Sequence, residues 1–145
     1  MEQSTMPNIT EADIMILART IYGEARGELA KANGGVKSLE AVAWVVKNRA
    51  SQKRFDKSVS NVCLQPWQFS CWNSSDPNRS KLLEANFDDR VFQSCYLAAT
   101  NVLFGKSEDC TLGADHYHSV HAAPYWANNA LQTVQIANHI FYKLG

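Results

Sequence analysis

The sequence has no surplus of charge. Its 145 residues carry 14 Lys+Arg against 14 Asp+Glu, so no overall basic field points to nucleic acid or to an anionic membrane. Whatever polarity a site needs must be local. A long apolar run is missing too: no stretch approaches the ~20 apolar residues of a spanning helix, so membrane insertion is not expected. The opening stretch, MEQSTMPNITEAD, has neither a basic segment nor an apolar one. No secretory signal is therefore expected. The chain is expected to be made in the cytoplasm, and a substrate beyond the membrane has to be reached by way of something else. Cysteine is sparse. Cys63, Cys71, Cys95 and Cys110 include no C-x-x-C pair, which argues against a zinc or redox motif. They read as buried free thiols, with a Cys63–Cys71 bridge open if the protein ends in an oxidising compartment. Repeats, low-complexity tracts and long linkers are absent.

What is present suits one globular domain over residues 1–145, with residues 1–9 expected to be flexible. At 46% hydrophobic the chain can build a core without staples. Thr10 followed by Asp13 gives a helix-start signal. Ile14, Leu17, Ala18, Ile21, Tyr22 and Ala25 then recur at helical spacing, predicting a helix over residues 11–26 with Gly27 as its stop. Asn33, Gly34 and Gly35 mark a turn. Leu39, Val42, Ala43, Val46 and Ala50 line one face of a second helix. Residues 54–80 read as a long loop rich in aromatic and turn residues. A third helix is predicted over 81–104, striped by Val91, Phe92, Cys95, Ala99, Val102 and Leu103. ADHYHSV after Gly113 reads as a short strand and TVQIANHIFYK as another. The fold class expected is α+β, mostly helical, with a small antiparallel sheet near the C-terminus.

The stretch TIYGEARGE, residues 20–28, is crowded for a helix end. Helical phase puts Glu24 about 80° from the centre of the apolar stripe, at ~3.6 residues per turn. That position is half-buried. Desolvation there disfavours the charged form of a carboxyl, and a carboxylic acid that keeps its proton near neutral pH is what glycosidic cleavage needs. The spacing equally suits a surface glutamate beside Arg26 or Lys31. Glu28 would turn into the stripe if the helix ran on, which is unfavourable for an unpaired charge. It reads as structural, facing a loop or a partner such as Arg26 or Arg49.

Two further clusters stand out. His116 and His118 share a strand face and His121 follows three residues on, a pattern open to zinc. The other reading has Tyr117 and His118 lining a groove and hydrogen-bonding a polar substrate. QPWQFSCW and PYW place Trp67, Phe69, Trp72 and Tyr125 in loops. Core packing is the default for Phe69, whereas rings with an apolar body and a polar tip suit the faces and hydroxyl edges of sugars.

Taken together, LARTIYGEARGE, AVAWVVKNR, QPWQFSCW, ADHYHSV, PYWA and VQIANHIFYK resemble, in order, the motifs of the SleB-like cell-wall hydrolases, the spore-cortex-lytic group and its bacteriophage relatives. The likeness runs over residues 14–143. It implies a lysozyme-like fold and cleavage of peptidoglycan glycan strands, by a lytic transglycosylase or a muramidase reaction. Glu24 is then the expected catalytic acid/base, and Tyr22, Gly23, Trp67, Phe69, Trp72, Tyr117, His118 and Tyr125 the expected substrate-binding residues. Gly23 would let a glycan approach the helix end, with Tyr22 packed beneath it, and Arg26 and Glu28 would brace the turn. Tyr117, His118 and Tyr125 are expected across the cleft from Glu24, with a bulge in the strand exposing Tyr117 beside His118 and with His116 as packing. No metal or cofactor is implied. The resemblance suggests a monomeric phage endolysin whose release depends on a holin. Two other classes stay open: a zinc-dependent peptidoglycan peptidase or amidase using His116, His118 and His121, and a non-catalytic glycan-binding module.

Overall fold

The computed structural model describes residues 8–52, 58–66 and 68–145. Among the described residues, five α-helices come first and a three-stranded sheet last. Helix α1, Glu11–Ala25, opens on the predicted capping box. The Asp13 backbone N–H donates to the Thr10 hydroxyl at 3.1 Å, and the Thr10 N–H donates to the Asp13 carboxylate at 3.0 Å. A 3-10 turn, Arg26–Glu28, continues it. Helix α2, Val36–Ala50, starts at Gly35, whose φ of 63° favours glycine. Helix α5, Arg90–Leu103, packs on α1 and α2. Leu17, Ile21, Leu39, Val42, Val46, Phe92 and Val102 fill the space between them without exposure, each stabilising the fold by about 1.5–3 kcal/mol through burial.

The stretch expected to be loop is partly helical. Helix α3, Val59–Leu64, starts where the Ser58 hydroxyl accepts from the Asn61 N–H. Helix α4, Pro77–Glu84, starts where Asp76 accepts from the Asn78 N–H, with proline at its first position. The single helix predicted over 81–104 is also two. It breaks after Glu84 and restarts when Asp89 accepts from the Val91 N–H at 2.8 Å. Both starts carried a signal in the sequence, an Asp cap and an Asp-Pro start, which the apolar stripe obscured.

Strand β1, His116–Ser119, pairs antiparallel with β3, His139–Lys143, and β3 pairs with β2, Leu131–Ile136, so the spatial order is β1-β3-β2. The predicted last strand is thus a hairpin. Its turn escaped notice because it holds no glycine: Ala137 takes a φ of 50°, which an L residue adopts only at a cost. Strand β1 runs in regular register, with Tyr117 opposite Phe141 and His118 opposite Ile140. No bulge lies in it. The irregularity sits in β2, between Gln132 and Val134. Alternation therefore decides the faces. Tyr117, Phe141 and His139 look inward to the helices, while His116, His118 and Tyr142 look outward.

Candidate active site

Glu24 lies in the last turn of α1, half-buried. The Tyr117 hydroxyl donates to its Oε1, and the Cys71 backbone N–H points at Oε2 from 3.4 Å. Strand β1 and the 3-10 turn Ser70–Trp72 thus hold the two oxygens of one carboxyl. The Tyr117 ring is fixed in turn. His139 meets it edge-on with centroids 5.0 Å apart, and Phe141 and Phe69 lie at 5.4 and 6.4 Å. Burial, with Glu24 beside it, raises the Tyr117 phenol well above its ordinary value, so it stays a donor. Behind Phe69, buried Arg49 lies over that ring at 5.0 Å. Its Nε donates to the Asp115 carbonyl at 2.7 Å and its Nη1 to Gln68 at 2.9 Å, joining α2, the aromatic loop and β1.

Beyond Glu24 opens a pocket of about 270 Å³, bordered by Glu24, Arg26, Gly27, Glu28 and Asn78. Glu28 is buried, and its Oε1 accepts from the Asn138 N–H in the β2–β3 turn at 3.0 Å. Its partner is that turn rather than Arg26 or Arg49. Arg26 donates to the Tyr22 carbonyl at 3.0 Å and to the Asn78 Oδ1 at 2.7 Å, so it does brace the turn.

The other predicted site residues scatter. Gly23 is glycine because a Cβ there would come within 2.7 Å of the Cys71 Cβ and 2.8 Å of Leu82. The protein itself fills that space, and Gly23 borders the pocket only at its edge. Tyr22 turns away. Its hydroxyl donates to Asp89 at 2.7 Å, and it borders a separate hollow of about 410 Å³ with Lys81, Glu84 and Asp88. Phe69 is buried in the core, which corrects its placement as a substrate contact. The Trp72 Nε1 donates to the Thr20 hydroxyl at 2.9 Å, so its polar edge is engaged internally. Trp67 lies outside the described residues. Tyr125 is 90% exposed in the 3-10 turn Tyr125–Asn129.

His118 faces away from Glu24, contrary to expectation. Its Nδ1 donates to the Ser119 carbonyl at 2.7 Å, leaving Nε2 to accept from the Tyr142 hydroxyl at 2.8 Å. The two rings stack, and Trp126 stands across both. His116 donates from Nδ1 to Asp115 at 2.9 Å and His121 is exposed. The three histidines do not converge, and no group of three metal-ligating side chains does so among the described residues. Cys63 and Cys71 are separate buried thiols. Burial pushes Cys63 up to about 12 and Cys71 higher still, so neither serves as a thiolate nucleophile.

Sequence reasoning missed three residues. His139 lies on the Glu24 side of the sheet with a buried Nδ1 that has no hydrogen-bond partner among the described residues. Burial lowers its pKa despite the pull of Glu28 and Glu24. Splitting the last strand into a hairpin would have revealed it. Asn78 could have been found from the Asp-Pro helix start. Asp115 carried no signal beyond its neighbours. Fully buried, it accepts from Gln52, His116 and the N–H groups of Leu144 and Gly145. Burial alone would raise its carboxyl, but these hydrogen bonds together hold it well below the carboxylate range.

Residues 34–142 match the model of the family described as Cell Wall Hydrolase. Two solved structures resemble the whole chain. The catalytic domain of the germination-specific lytic transglycosylase SleB from Bacillus anthracis is 28% identical with a TM-score of 0.73, covering 95% of this chain and 100% of that one. The catalytic domain of the Bacillus cereus SleB protein is 25% identical with a TM-score of 0.72, covering 98% of each. No curated protein matches significantly. The lysozyme-like, mostly helical fold expected from the motifs is the fold found. Glu24 itself lies before the segment the family model matches, so its part in the site is argued from geometry. By its sequence match and its architecture, this chain belongs to the cell wall hydrolase family, among the SleB-like members.

Proposed function

We propose that the protein cleaves peptidoglycan glycan strands as a lytic transglycosylase, with Glu24 as the general acid and then the general base. One observation carries this reading: a half-buried carboxyl at the edge of a polar pocket, gripped by Tyr117 from the sheet. Glu24 gives its proton to the glycosidic oxygen as the C1–O bond breaks, and the leaving sugar departs as an alcohol. The positive charge developing at C1 then needs a nucleophile. The other carboxyl bordering the pocket, Glu28, is buried and ties its Oε1 to the Asn138 N–H, which favours a structural part for it over that of a base. A hydroxyl of the same sugar attacks instead, its proton returns to Glu24, and an anhydro end forms. Substrate assistance of this kind is a recognised exception to the two-carboxylate scheme.

Mass spectrometry of fragments released from purified peptidoglycan tests this directly. Anhydro ends are expected. Reducing ends would move the reading to a water-dependent muramidase, and cut peptides would overturn glycan cleavage. Chelation is expected to leave activity unchanged, because His116, His118 and His121 do not converge. The proposal extends to a monomeric phage endolysin made in the cytoplasm. It is supported by the likeness of the motifs to bacteriophage relatives. Expression in bacteria with and without a holin tests that part: lysis only with the holin is expected.

A further inference from the structure

His139 is an imidazole set near two carboxyls without an ion pair to either. It follows Asn138, whose N–H reaches Glu28 at 3.0 Å. Its ring meets, edge-on at 5.0 Å, the Tyr117 ring whose hydroxyl donates to Glu24. Glu24 from α1 and Glu28 from the 3-10 turn after it both favour a proton on the imidazole. From β1 come Tyr117, which stays an uncharged phenol, and His118, which opposes that pull from the far face. From β2, Ile136 pairs with it and brings no charge. On β3 itself, the Phe141 ring lies 6.3 Å away.

The geometry denies His139 that proton. An imidazolium carries two N–H donors. Nδ1 is buried and has no acceptor among the described residues, so a second proton would bury a charge with one donor unpaired. The Glu24 and Glu28 Oε1 atoms are turned to the Tyr117 hydroxyl and the Asn138 N–H instead. Burial thus outweighs the two carboxyls, and the ring is neutral at neutral pH. Charged, it would act on the acid. A cation beside a carboxyl favours the ionised form, and an ionised Glu24 has no proton to give the glycosidic oxygen.

We propose that His139 is a positioning residue for the acid step: held uncharged against the Tyr117 ring, it steadies the phenol that grips Glu24 and leaves the transferable proton on the Glu24 carboxyl. The inference rests on the reading of Glu24 as general acid and names the group that keeps its proton in place. It assigns His139 no contact with the glycan. Its signature is a loss of turnover as pH falls through the titration of the ring. Glu24 alone does not produce such a loss, because an acid gains its proton as pH falls.

The test follows turnover of purified peptidoglycan against pH in the full-length protein, beside an NMR titration of the His139 ring. The ring is expected to be neutral at the pH of maximal turnover. One pH unit below the ring's own midpoint about one molecule in ten keeps it neutral, so turnover is expected to be roughly tenfold below its maximum. Near-UV circular dichroism at each pH shows whether the protein is still folded. His139→Gln cannot take the charge and is expected to stay within about threefold of its own maximum at that pH. His139→Phe is expected to do the same while keeping a ring against Tyr117, so the test survives a Gln variant that does not fold. A ring already charged at maximal turnover, an acid limb unmoved in the folded variants, folded variants without turnover at any pH, or a loss that only follows unfolding overturns the inference and leaves glycan cleavage standing. A wild type that releases no glycan fragments at any pH overturns the cleavage reading and this inference with it.

Discussion

The two faces of β1 and β3 differ more than their shared strands suggest. On the inner face, Tyr117 gives its hydroxyl to a carboxyl in α1 and is held by His139, Phe141 and Phe69. On the outer face, His116, His118, Trp126 and Tyr142 satisfy one another and Asp115. One face spends its polar atoms on a candidate acid and the other on itself. Neighbouring residues in HYHS thus belong to different parts of the molecule, and proximity in sequence to Tyr117 says nothing about proximity to Glu24.

The sharpest way to break this contrast starts at the acid. Glu24→Gln keeps the size of the side chain and removes its transferable proton. Lysis of purified walls is expected to fall roughly 10²–10⁴-fold with an unchanged melting curve. A folded variant with normal activity would end the catalytic reading.

Next comes the inner face. Tyr117→Phe removes the donor to Glu24 and keeps the ring packing. Turnover should drop roughly tenfold, since a hydrogen bond to a charged group is worth about 1.5 kcal/mol or more. His118→Ala is its outer-face counterpart. It should cost about 1–3 kcal/mol of stability through two lost hydrogen bonds, seen as a lower melting temperature, while turnover per folded molecule stays within about twofold. If the two variants behaved alike, the faces would not be functionally distinct.

The smallest effect separates the faces by pH. His139 has its pKa lowered from 6.5, chiefly by burial. The unfolded chain therefore binds the extra proton first, and stability starts to fall as pH drops below about 6.5. Asp115 is lowered from 3.8. Its contribution is complete above that value and is lost as pH falls towards its folded pKa. Stability against pH should show a shallow loss first and a second one in the acid range. His139→Gln should erase the first step and Asp115→Asn should shrink the second, to which Asp13 and Asp89, also lowered by their hydrogen bonds, contribute.

Much of this was legible before any coordinates. The phase of the apolar stripe in α1 set Glu24 beside the core rather than in it, because one regular helix fixes the angles of its residues. Strand alternation separated Tyr117 from His116 and His118, and it was the expected bulge, not the alternation, that misled. The bulge exists, but in β2, where a register shift depends on a partner strand that the sequence does not display. The break between α4 and α5 was obscured because Leu82 and Leu83 extend the apolar pattern up to the cap at Asp89. That Glu28 faces a loop was legible from its helical phase, but which loop was not. Its partner is a backbone N–H in a turn built on a left-handed alanine, and neither feature leaves a residue signature.

That last contact has a temporal consequence. The acid sits at residue 24, its holder is 93 residues further on, and the Glu28 tie to the β2–β3 turn spans 110. At about 5–20 residues per second of synthesis, roughly 5–20 s pass between the emergence of Glu28 and that of Asn138. During that interval the nascent chain carries Glu24 without the complete sheet that holds Tyr117 against it. A truncation that stops short of the hairpin retains Glu24, Arg26 and Asn78 and lacks the turn that anchors the sheet. The setting of Glu24 is complete only when β2 and β3 have been made.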